Sequence, residues 1–169
     1  MILINHLIRI LWVLVMAAGL TACGGLTDEP ITPSNTVEIE SVTITTSEEM
    51  NNSWPVGIAM VRSNDVRILD RIGQLSARDW FEQMQDFQRN YSELLIDVWE
   101  VVPNQQVGPI IVDPGTDVSG YIFADYRNNK ANRVRLNVDE NLILRMNQDD
   151  FTVSGTEVES EWWSWFWFW

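Results

Sequence analysis

Side chains able to do chemistry are few in this chain, and their types decide what is possible. There is one cysteine, Cys23, and one histidine, His6, both near the N-terminus. Carboxylates are abundant, with 24 Asp and Glu against 11 Lys and Arg, for a formal net charge of −13. Two loop stretches offer paired aspartates: Asp113 with Asp117 in "VDPGTD", and Asp149 with Asp150 in "NQDD". Oxygen-rich loops of this kind suit calcium, but neither has the spacing of an EF-hand loop. Asp-Pro-Gly is also explained by a turn. A Gly-rich phosphate loop is absent from the sequence, and nothing singles out a pair of carboxylates for acid–base work.

The N-terminal segment narrows the chemistry further. In "MILINHLIRILWVLVMAAGLTAC", Arg9 precedes an apolar run from Ile10 to Leu20. That run has the length of a signal-peptide core and is short of the roughly 20 residues of a membrane span. It ends in "LTAC", which resembles the lipobox of bacterial lipoproteins. The resemblance implies cleavage after Ala22 and acylation of Cys23. The alternative is an ordinary signal peptide with an incidental cysteine. Gly24 follows, where lipoproteins kept at the inner membrane tend to carry Asp, so the expected location is the outer membrane, facing the periplasm. Three acyl chains exceed the two signals that stable anchoring requires. Cleavage would remove His6, leaving no Ser-His-Asp or Cys-His catalysis and no His or Cys ligands for zinc. We therefore expect no enzyme, no cofactor, no metal and no small-molecule substrate. The acidic excess repels phosphates, so nucleic acid is not an expected partner.

The elements that must position whatever site exists read as follows. Residues 1–22 are the expected signal peptide. Residues 23–36 hold the lipidated cysteine and a Gly-, Pro-, Ser- and Thr-rich tether. "VEIESVTITT" alternates as a strand, with a slip of phase at Ser41 that suggests a bulge. "SEEMNNSW" is polar and turn-prone, and "PVGIAMVR" reads as a second strand. In "LSARDWFEQMQDFQRNY", Trp80, Met84, Phe87 and Tyr91 fall on one helical face. Ser76 is the expected N-cap, with Asp79 in the capping-box position. "DVRILDRIG" adds a helical turn broken at Gly73.

From Leu94 the period returns to two. "LLIDVWEVV", "VGPIIV" and "VSGYIFADY" are strands separated by turns. "RVRLNV" and "NLILRM" flank "DE" as an expected hairpin. In it Val134, Leu136, Val138, Leu142, Leu144 and Met146 would face inward, and Arg133, Arg135 and Arg145 outward. Phe151 closes the domain. About six or seven strands with one inserted helix predict a mainly β chain, an antiparallel β-sandwich over residues 37–155. Residues 156–169 form an acidic then Trp/Phe-rich tail. Its last eight residues, "WWSWFWFW", are too few to cross a bilayer, since eight helical residues rise about 12 Å against about 30 Å of hydrocarbon. Trp162, Trp163, Trp165, Trp167 and Trp169 are expected to rest on a membrane interface, where Trp is favoured, or to form a poorly ordered tail; the rivals are a docking strand for a partner and an extension with no selected role.

Three stretches together resemble the TssJ family, the outer-membrane lipoproteins of type VI secretion systems. They are "VTITTSEEMNNSWPVGIAMVRS", "LSARDWFEQM" and "GYIFADYRNNKANRVRL", within residues 37 to 153; the aromatic tail has no place in the family pattern. The resemblance implies a transthyretin-like β-sandwich that hangs from the outer membrane through its lipid. It would dock on the periplasmic domain of an inner-membrane secretion protein. In that family the loop between the first two strands makes the contact, which here is Thr46 to Trp54, with Met50, Asn51, Asn52 and Trp54 as expected contacts. Trp is enriched at binding hot spots, although Trp54 could equally fold back on the sandwich. The other function class is a free-standing envelope lipoprotein, a small binding module or pilotin-like factor, unrelated to type VI secretion.

Overall fold

The structure is a computed structural model and describes residues 36–116, 118–137 and 140–155. Two four-stranded sheets face each other, and two helices cover the outer face of one of them. The elements run β1 (Ile39–Thr46), β2 (Val56–Ser63), α1 (Val66–Ile72), α2 (Ala77–Asn90) and β3 (Leu95–Val101). Then follow β4 (Gln106–Ile111), β5 (Ser119–Ala124), β6 (Arg133–Arg135), β7 (Glu140–Met146) and β8 (Phe151–Gly155). One sheet has the order β4-β1-β7-β8 and the other β3-β2-β5-β6.

The expected β-sandwich is present, with two refinements. First, β1 and β7 pair in parallel, so their sheet is mixed rather than wholly antiparallel. Second, there are two helices where one was the main expectation, because "VRILDRI" forms a full α1 capped by Asp65.

Strand β1 shows how a local irregularity serves the core. Ile39, Val42 and Ile44 are all fully buried, although the first two are an odd number of positions, three, apart. A strict period of two would put one of them in solvent. A register shift against β7 between Ile39 and Ser41 resolves the conflict. The buried Ser41 hydroxyl donates to Asn141 Oδ1 at 2.6 Å.

Strand β2 is apolar on both faces because both are covered, as expected of a sheet with layers on each side. Ile58 and Met60 join the core between the sheets, while Ala59 and Val61 face the helices. Helix α2 starts at the expected capping box: the Ser76 hydroxyl accepts from Asp79 N–H and the Asp79 carboxylate accepts from Ser76 N–H. Trp80 is fully buried, stacked on Phe123 at 5.3 Å and tilted against Phe87 at 5.4 Å. Burying an indole removes roughly 200 Å² from water, worth about 5 kcal/mol.

The expected hairpin of "RVRLNV" with "NLILRM" does not form. β6 belongs to the β3-β2-β5-β6 sheet and β7 to the other, so the chain crosses between sheets at this corner. Leu136, Leu142, Leu144 and Met146 do face inward, but from opposite sheets. Val134 is half-buried against the same core, and Val138 lies outside the described residues. Alternation is the same in both arrangements, which is why it misleads. Arg133 is half-buried rather than solvent-facing, and donates to the Leu75 carbonyl at 2.6 Å.

A buried charge was not anticipated. Arg62, at the far end of β2 from Trp54, is fully buried. It donates to Asp97 Oδ2 at 2.9 Å and to the Pro114 carbonyl at 3.2 Å. Its Nε has no acceptor among the described residues.

Candidate docking surface

Four connections meet at one end of the sandwich: residues 47–55, 102–105, 125–132 and 147–150. Backbone and side-chain bonds tie them together. Ser47 N–H donates to the Met146 carbonyl at 2.9 Å, and Asn104 N–H to the Ser47 carbonyl at 3.2 Å. Asn51 N–H donates to the Gln148 carbonyl at 2.9 Å. The Tyr126 hydroxyl lies within donating distance of the Asp150 carbonyl, 2.7 Å, and the Asn147 carbonyl, 3.0 Å. Burial, with the nearby charges of Asp150 and Asp149, raises the Tyr126 pKa, so the phenol stays a donor.

The β1–β2 loop is built on three consecutive left-handed residues, Asn51 (φ 49°), Asn52 (φ 55°) and Ser53 (φ 63°). Asn tolerates this region better than most residues with a Cβ. Asn51 is buried and fixes the loop through its amide. Its Nδ2 donates to the Pro55 carbonyl at 3.0 Å, and its Oδ1 accepts from Arg127 N–H at 2.8 Å.

This geometry sorts the four residues expected to contact a partner. Met50 is fully buried in the core between the sheets, so the expectation that its side chain is displayed is corrected. A lone apolar side chain in a polar loop gains more by plugging the open end of a sandwich than by facing water. Asn51 is likewise buried, its amide engaged internally. Asn52 and Trp54 are exposed, Trp54 to 56%. Trp54 does not fold back onto the sandwich core.

Arg127 was not anticipated. Its guanidinium carbon lies 4.3 Å from the centroid of the Trp54 ring. A cation so placed is attracted by the ring quadrupole by about 0.5–1 kcal/mol at an exposed site. The partner ring is far away in sequence, so this region stood out only as part of the stretch "GYIFADYRNNKANRVRL" that carries the family resemblance. Glu48, Glu49, Asp125, Asp149 and Asp150 are exposed on the same loops, yet none forms an ion pair with Arg127.

The other chemical candidates have structural roles. Asp113 Oδ1 accepts from Gly115 N–H at 2.9 Å, closing the expected Asp-Pro-Gly turn, and Asp117 lies outside the described residues. Asp150 Oδ1 accepts from Asn147 Nδ2 at 3.0 Å. Among the described residues, no group of three or more His, Cys, Asp or Glu could hold a metal ion. Also among these residues, no helix is long and apolar enough to cross a membrane. Cys23 and the tail tryptophans Trp162, Trp163, Trp165, Trp167 and Trp169 lie outside the described residues.

No protein-family model matches the sequence, and no curated protein is significantly similar to it. Solved structures do match. The crystal structure of the T6SS lipoprotein TssJ1 from Pseudomonas aeruginosa superposes with a TM-score of 0.55 at 13% identity, over 72% of this chain and 97% of that one. Serratia marcescens Lip, a membrane-bound component of the type VI secretion system, superposes with a TM-score of 0.52 at 15% identity, over 71% and 98%. The chain has the fold of the TssJ lipoproteins of type VI secretion.

Proposed function

We propose that this chain is a TssJ-like lipoprotein of a type VI secretion membrane complex, anchored to the outer membrane by acylated Cys23 and docking on the periplasmic domain of an inner-membrane protein. The observation that carries the reading is the match of nearly the whole of two type VI secretion lipoproteins to this sandwich. The "LTAC" segment supports it independently, because it would put a lipid where such a protein needs one. Its role is then mechanical: the lipid holds the membrane and the loop surface around Trp54 holds the partner.

Trp54 is the proposed main contact, with Asn52 beside it. Both are presented by a loop whose backbone is already fixed by Asn51. A preordered loop loses little entropy on binding. Trp54→Ala should weaken binding by roughly 2 kcal/mol or more, as loss of a hot-spot tryptophan does; unchanged affinity would contradict its assignment as the main contact. For the anchor, deletion of the gene should abolish type VI-dependent killing of a competitor strain. A Cys23→Ser copy should fail to restore it and should appear in the soluble periplasmic fraction. Restoration by that copy, with normal membrane fractionation, would contradict the reading. The tail is proposed as a shallow second foot on the membrane. Deleting Trp162 to Trp169 should reduce liposome binding of unlipidated protein and leave melting nearly unchanged; a large loss of thermal stability would place the tail in the fold instead.

A further inference from the structure

The docking surface carries a cation that the protein itself leaves unused. Arg127 has no side-chain hydrogen bond and no ion pair among the described residues. Five acidic residues stand on the same group of loops. None of them pairs with it. Instead its guanidinium lies on the Trp54 ring, with its backbone N–H held by Asn51 Oδ1. That contact engages the charge with the ring, while none of the guanidinium N–H groups is taken by a hydrogen bond among the described residues. Those N–H groups form the fork that matches a carboxylate with two parallel hydrogen bonds.

Resting on the reading above, we infer that Arg127 and Trp54 form one composite site for a carboxylate of the partner. The carboxylate, from an Asp, a Glu or a chain end, binds the guanidinium edge, while an apolar group beside it covers the open part of the indole. The contact therefore spans two loops, β1–β2 and β5–β6, rather than the first alone. The surrounding Glu48, Glu49, Asp125, Asp149 and Asp150 act as a filter. They repel acidic surfaces in general, so a carboxylate is accepted only where the partner delivers it onto Arg127 with neutral or basic groups around it.

The test uses the full mature lipoprotein in detergent and the periplasmic portion of the inner-membrane type VI protein. Arg127→Ala should weaken binding by roughly 10- to 100-fold. Arg127→Lys should recover only a small part of that, because an ammonium has the charge but not the planar fork. Melting of both variants should fall by no more than about 4 °C. A scan of Asp→Asn and Glu→Gln in the partner should find one substitution as costly as Arg127→Ala. Combining the two should add almost nothing, since each removes the same contact. Binding by Arg127→Ala equal to the parent overturns the proposal, as does full rescue by Arg127→Lys or the absence of any coupled carboxylate. If Trp54→Ala still loses binding in that case, only the carboxylate assignment falls. If neither variant loses binding, the docking reading falls with it.

Discussion

Replacing Asn51 with alanine tests the architecture of the docking surface without touching any exposed group. Asn51 is buried and contributes in three ways. Its amide donates to the Pro55 carbonyl at 3.0 Å and accepts from Arg127 N–H at 2.8 Å. Each such bond has a net worth of about 1 kcal/mol, and more where its partner is left buried and unsatisfied. Its backbone sits at φ 49°, ψ 36°, where alanine costs about 1 kcal/mol more than asparagine. The expected destabilisation of Asn51→Ala is therefore about 3 kcal/mol. Asn51→Asp keeps the acceptor and tolerates the left-handed backbone, but it buries a carboxylate whose second oxygen faces the Pro55 carbonyl, and should cost at least as much as Asn51→Ala. Asn51→Gly relieves the backbone but loses both bonds, and should cost about 2 kcal/mol, the least of the three. Urea denaturation of the three variants measures this series. Partner binding should weaken in Asn51→Ala as well, because Trp54 and Arg127 both lose their support. Asn51→Ala within about 0.5 kcal/mol of the parent would refute the account of how this loop is held.

Asp97→Ala should cost about 3–5 kcal/mol, because it strands the buried guanidinium of Arg62. Arg62→Met should cost much less, since a half-exposed carboxylate can take water and the methionine fills similar volume; equal losses in urea denaturation would contradict the argument. Trp80→Ala should lose about 3–5 kcal/mol and Trp80→Phe clearly less, because the indole N–H has no acceptor among the described residues and its ring contacts largely survive. Acid should loosen the helical layer: Asp79 is held below the ordinary carboxylate range by the Ser76 hydroxyl first, and Asp65 by the Arg67 side chain first. A depressed folded pKa stabilises the fold above the unfolded value of about 3.9, and that share is lost as pH falls through the folded value. Melting curves of the parent and Asp79→Asn should thus differ at pH 7 and converge near pH 2–3; a constant gap would exclude this linkage.

What the sequence revealed divides along physical lines. The capping box of Ser76 and Asp79 was legible because both partners lie within one turn. The phase slip at Ser41 was legible because a core strand tolerates no unexplained slip. The break between β6 and β7 was not, since inward alternation from "RVRL" to "LILRM" is satisfied equally by a hairpin and by a change of sheet. Met50 and Trp54 looked alike as lone apolar residues in one polar loop. Only the packed sandwich shows that one plugs the core and the other is displayed. Arg62 at a strand end reads as a solvated charge until Asp97 is brought to it from a neighbouring strand. Arg127 is invisible for the same reason: its meaning depends on a ring contributed by a distant loop.

The most direct measurement of the central claim is site-specific photo-crosslinking in native membranes, with the reactive group at position 54 and a control at the exposed Ile111 on β4. The account predicts that position 54 captures the large inner-membrane protein of the type VI secretion complex, identified by mass spectrometry, and that position 111 does not. Capture of that protein from 111 but not from 54, or no capture of it from either position in cells with an active secretion system, would contradict the account.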